Sequence, residues 1–129
     1  MASLHSLLTP PALTVPAGEP PEGVEVLWRA EARRYSYVID ADAELYGTSA
    51  PRLELWWHRV KRWTPRGARL NNGKYVNLDK NISRREWASR TKEEAVESFI
   101  ARRRRQISLL QGQLNYAEQE LALATRCDL

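Results

Sequence analysis

The 129-residue, 14.9 kDa chain predicts a single domain, and its 43% hydrophobic and 28% charged residues argue against wholesale disorder. No run of about 18 apolar residues is present, which excludes a transmembrane helix and a membrane partner; the single cysteine, Cys127, excludes an internal disulfide and a cysteine-based zinc site. The net charge of +4 is unevenly spread, because residues 52–90 carry eleven basic and three acidic side chains while residues 91–129 balance at six and six.

Residues 1–23 hold five of the seven prolines. Proline at that density removes backbone donors and sustains neither a helix nor an internal strand, so a disordered arm is expected. Its other reading is an extended segment docking through Leu4, Leu7, Leu8 and Leu13. Pro10, Pro11 and Pro16 interrupt its apolar stretch and no basic residue precedes Arg29, which argues against a secretory signal. The cytoplasm follows as the default location.

The second segment, 24–90, reads as a basic antiparallel β-meander of about four strands. Val24, Val26 and Trp28 alternate with polar neighbours, as do Tyr35, Tyr37 and Ile39, which predicts one bent strand or two short ones across 24–39. Asp40 to Pro51 reads as a connection. Arg52 to Trp63 is a further strand whose apolar parity changes at Trp56, the signature of a bulge or of burial on both faces. Thr64-Pro65-Arg66-Gly67 is a turn, with proline presetting the first corner. Asn71-Asn72-Gly73 is a second, read from the Asn-Gly hairpin signal. Asp79 to Arg90 is basic and irregular, anchored by Trp87.

The third segment, 91–129, predicts one long amphipathic helix with coiled-coil character. Thr91 with Glu94 forms a capping box, and no proline follows. Ile100, Arg103, Ile107, Leu110, Leu114, Ala117, Leu121 and Ala124 keep 3-4 spacing, flanked by Leu109, Tyr116 and Leu123. The helix's N-terminal half is expected to cover the sheet, and residues Ile107, Leu110, Leu114, Ala117 and Leu121 to form a homo-oligomer interface. The fold class is therefore α+β, a meander packed on a long C-terminal helix behind a proline-rich arm.

Arg102-Arg103-Arg104-Arg105 has no acid at helical neighbour positions, so its partners are solvent, another subunit, the acidic segment 40–44 or an anionic ligand. The meander adds Arg59, Arg62, Arg66 and Arg69, and an anion or partner site is expected from these four with Arg102, Arg104 and Arg105. Trp56, Trp57, His58, Trp63 and Tyr75 interleave with those cations. They either fill the core of a phenylalanine-poor domain or stack on single-stranded nucleic acid. Two histidines, no nucleophile or nucleotide-binding motif and no EF-hand spacing around Asp40, Asp42 and Glu44 argue against an enzyme, a metal or a cofactor.

Thr64-Pro65 with Gly67, Gly73-Lys74 with Val76, Arg85 to Ala88, and above all Thr91-Lys92-Glu93-Glu94-Ala95 running into Ser98 to Arg102 and Arg105-Gln106-Ile107, resemble small, mostly uncharacterised proteins encoded by bacteriophages and prophages. The likeness covers about a third of the chain. It implies a phage accessory protein in a bacterial host cytoplasm, acting by binding, with blockade of a host defence factor or sequestration of an anionic ligand as the expected role. A nucleic-acid-binding module using residues 52–90 and a virion or assembly component are the alternatives.

Overall fold

The computed structural model describes residues 13–79 and 86–128, so expectations placed on Leu4, Leu7, Leu8 and Arg85 lie outside the described residues. The protein is α+β, with seven strands and one helix among those residues: β1 (Leu13–Thr14), β2 (Val26–Arg33), β3 (Ser36–Asp40), β4 (Leu45–Thr48), β5 (Arg52–Thr64), β6 (Gly67–Leu70), β7 (Tyr75–Asn77) and α1 (Lys92–Arg126). The chain divides into two compact units, Met1–Ser98 and Phe99–Leu129, with the boundary inside α1 rather than ahead of it.

The first unit is organised around β5, thirteen residues rich in the β-branched and aromatic side chains that suit a pleated surface. It pairs antiparallel with β2 from Val26↔Arg59 to Arg33↔Arg52, antiparallel with β6, and parallel with β1. The Val60 N–H donates to the Glu25 carbonyl at 3.0 Å, while the Arg59 carbonyl accepts from the Asn71 N–H at 3.0 Å. Successive residues aim their backbone groups at opposite edges of a strand, so β2 and β6 flank β5 on opposite sides. The β2–β5–β6–β7 sheet is thus antiparallel, but β2 skips its chain neighbour. The stretch expected as a connection, 40–51, instead contains β4, which pairs with β3 as a separate two-stranded hairpin.

Three local expectations shift. The change of parity at Trp56 does not mark a bulge there, since the β2–β5 register runs unbroken; the shift falls between Val60 and Arg62, leaving Lys61 without a partner. The Asn-Gly signal opens into a longer loop: Gly73 N–H donates to the Leu70 carbonyl at 3.0 Å, Leu70 N–H to the Lys74 carbonyl at 2.8 Å, and Gly73 follows the turn at φ 87°. Residues 13–23, assigned to a disordered arm, lie on the sheet from Leu13 onward, because β5 has a free edge there and Trp57 Nε1 donates to the Gly18 carbonyl at 2.8 Å.

Alternation sorts the side chains into two faces. Leu27, Ala68, Leu70 and Val76 form the core on one face with Ala88, flanked by Val60, Leu78 and Trp87. Trp28, Ala30 and Leu55 are buried on the other. Ser89 exchanges two 2.7 Å backbone hydrogen bonds with Trp28, and this bridge anchors Ala88 beside Leu27. Thr91 caps α1, its hydroxyl accepting from the Glu94 N–H at 3.1 Å. Within the first unit, Ala95 is the buried residue of the helix's opening turns. The face that carries Trp28 is covered by the first helical turn, with Lys92 Nζ 4.9 Å from the centre of the Trp28 ring, and by residues 13–23, whose Glu19 pairs with Lys92 at 2.6 Å.

Candidate functional site

The β5–β6 hairpin gathers the first four expected arginines. Arg62 stands directly across from Arg69, and Arg69 across from Tyr75, so the three form a row over β5, β6 and β7. Arg59 shares their face further along β5, and Arg66 occupies the exposed turn. Arg69 is held in place by its hydrogen bond to the Gly73 carbonyl (2.9 Å) and by Tyr75, whose ring centre lies 5.5 Å from the guanidinium carbon. Tyr75 is itself fixed, its hydroxyl 3.0 Å from Thr64 Oγ1. Among the described residues, none of Arg59, Arg62, Arg66 and Arg69 has a carboxylate within ion-pair distance. Like charges directly across a strand pair destabilise it, so the Arg62–Arg69 row is a place where a bound anion gains more than at an isolated cation.

Arg102, Arg104 and Arg105 belong to the second unit. There Arg103 finds neighbours within the helix, donating to Gln106 Oε1 at 2.9 Å with its guanidinium carbon 4.9 Å from the Phe99 ring centre. The acidic segment serves its own turn: Asp40 Oδ1 accepts from the Asp42 N–H at 3.0 Å and the Ala43 N–H at 3.4 Å.

Trp56, Trp57 and Trp63 are not core residues. Trp56 and Trp57 are half-buried, Trp63 is exposed, and Trp28 is the tryptophan that goes inside. Each of the three is tied by its indole N–H, Trp56 to Glu54 at 3.3 Å, Trp57 to Gly18 and Trp63 to Glu25. Trp63 also carries the Arg90 guanidinium 5.2 Å above its ring centre.

On the opposite sheet face lies an open cleft of about 360 Å³, lined by Arg29, Glu31, Arg33, Trp56, His58 and Trp87. Its β2 contribution was legible in principle, because Arg29, Glu31 and Arg33 share the parity of Leu27; finding it required knowing that β2 pairs with β5. Arg29 pairs with Glu31 and donates to the Trp87 carbonyl at 2.6 Å. Both Arg29 and Lys74 stack on Trp87, at 4.6 and 4.3 Å from the ring centre. Half-burial and then these two cations push the His58 pKa below its usual value, since both disfavour the charged ring. At the rim, buried Glu54 accepts from Tyr35 Oη and pairs with Arg33 at 3.1 Å. That hydrogen bond raises the Tyr35 pKa, with desolvation adding to it.

In the second unit, the residues expected to form an oligomer interface are all exposed: Ile107 and Leu110 at 53%, Leu114 at 59%, Leu121 at 65%, and Ala117 with them. No protein-family model, curated protein or solved structure matches the chain.

Proposed function

We propose that the chain is a non-catalytic binding protein whose β5–β6–β7 face takes a phosphate-bearing polyanion, with single-stranded nucleic acid as the ligand that fits it best. The observation that carries this reading is the Arg62–Arg69–Tyr75 row, two opposed cations and a fixed ring with no carboxylate among the described residues to neutralise them. Phosphates supply the missing charge, and Tyr75, on the same face, supplies a surface for a base. The setting we propose, a phage accessory protein in the host cytoplasm, rests on the resemblance of Thr91 to Ile107.

Binding to random-sequence single-stranded oligonucleotides should weaken steeply with salt. Replacing Arg59, Arg62 and Arg69 together by Gln should lower the slope of log affinity against log salt by about 2. Salt-independent binding, or an unchanged slope in the triple variant, rejects the reading. A stoichiometric complex with one host protein that survives nuclease treatment would move the assignment to a host-factor inhibitor.

A second reading accompanies the first. We propose that the chain self-associates through Ile107, Leu110, Leu114, Ala117 and Leu121 as a coiled coil, supported by an unbroken seam whose large side chains are all more than half exposed.

A further inference from the structure

The self-association reading leaves open which way the helices run, and the order of residues along α1 answers it. With Ile100 at heptad position a, the inward positions are Ile100, Arg103, Ile107, Leu110, Leu114, Ala117, Leu121 and Ala124. We infer that two copies of α1 pair antiparallel, crossing at Gly112.

Side-chain size is the first argument. In a parallel pair every residue meets its own copy. Ala117 and Ala124 would then each face another alanine and leave a void, while Ile100 and Ile107 face another isoleucine. In the antiparallel pair each a position meets a d position of the other copy. Ile107 then lies against the partner's Ala117, Ile100 against the partner's Ala124, and Leu110 against the partner's Leu114. Every one of these layers holds a large and a small residue or two leucines, so packing is even along the seam.

Charge is the second, independent argument. The parallel pair places Arg103 against the partner's Arg103 inside the seam, two like charges brought out of water. In the antiparallel pair Arg103 meets the partner's Leu121, and the flanking positions become complementary. Arg104 faces the partner's Glu118, and Gln106 faces the partner's Glu120. Arg104, which has no acid three or four residues away on its own helix, thereby receives a carboxylate from the partner. Flanking charges of this kind set helix orientation in coiled coils.

Because this inference rests on self-association, the experiment separates the two. Sedimentation equilibrium of the full chain should give twice the 14.9 kDa of one chain, and Leu114→Arg should return it to one. Antiparallel copies hold their Cys127 thiols roughly 45 Å apart along the helix axis, far beyond the reach of a disulfide. Mild oxidation should therefore yield no crosslinked dimer. Arg104→Glu should raise the dimer dissociation constant about tenfold, since two exposed pairs become repulsive, and adding Glu118→Arg should restore it. Circular dichroism establishes that each variant keeps its helix. A single-chain mass for the native protein overturns both readings. A two-chain mass with ready Cys127 crosslinking, or with no rescue by the charge exchange, overturns the antiparallel arrangement alone.

Discussion

At the scale of single residues, environment sets what each side chain can do. His58 lies beside Trp87, with the ring centres 5.0 Å apart, in the field of Arg29 and Lys74. Its pKa is lowered in the folded state, so the unfolded chain binds its proton more readily. The stability this gives is complete above the ordinary histidine value of about 6.5 and is lost as pH falls from there through the folded pKa. Urea midpoints should decrease from about pH 7.5 to about pH 5, and His58→Gln should flatten that decrease; an equal decrease in the variant would remove His58 as the cause. Much at this scale was legible: the Thr91 cap, the 3-4 seam and the basic charge of the 52–90 segment follow from residue types and spacing. Which tryptophans go inside was not. Trp28 and Trp57 are opposed on one face, yet Trp28 is buried and Trp57 only partly so, because burial depends on what crosses the face and not on the strand's own pattern.

At the scale of elements, the tight hairpin between β5 and β6 is the most specified piece. Thr64 pairs with Gly67 around the corner made by Pro65 and Arg66. Gly67 is required by space: a Cβ there would collide with the Val76 carbonyl oxygen and sit 3.0 Å from the Tyr75 hydroxyl. Gly67→Ala should therefore destabilise the first unit by about 1–3 kcal/mol, as overpacking does, and should displace Tyr75 from the arginine row. Chemical denaturation reads the first effect, and weakened oligonucleotide binding reads the second. The turn residues announced this hairpin because proline fixes φ at the first corner. Of the two readings of the parity change at Trp56, burial on both faces holds, since neighbouring Glu54 and Leu55 are both buried, while the bulge lies further along, between Val60 and Arg62. Apolar parity reports which face is covered, whereas a bulge is fixed by hydrogen-bond register with β6, and that register is set by the downstream turn.

At the scale of the whole molecule, connectivity was the least legible feature. Turn chemistry identifies neighbours that pair across a few residues, but no local signal says that β2 waits for β5 while β3 and β4 pair with one another. Long-range pairing is decided by which arrangement buries Leu27, Leu70 and Val76 together, a property of the assembled sheet. The long helix was legible because its period persists over many turns, and it makes a plain prediction. α1 contains 35 of the 129 residues, so far-ultraviolet circular dichroism should report about a quarter helix. A value near half of that would mean that α1 breaks at Gly112 and that the seam ends there.

The pairing of Arg33 with Arg52 brings the two ends of an eighteen-residue excursion, 34–51, to directly opposed positions on neighbouring strands. Everything between them leaves the sheet and returns to the same spot, including the β3–β4 hairpin with its exposed Tyr37, Val38, Ile39, Leu45 and Tyr46. An Asn-Gly dipeptide could join β2 to β5 there as an ordinary two-residue hairpin, with the Tyr35–Glu54 hydrogen bond as the main contact forfeited. The excursion is therefore a cassette: it can be shortened, lengthened or exchanged for a foreign segment without disturbing the register of β2 against β5. Sequence drift within it is free to explore new surfaces while the arginine row, built on the other end of β5, stays in place.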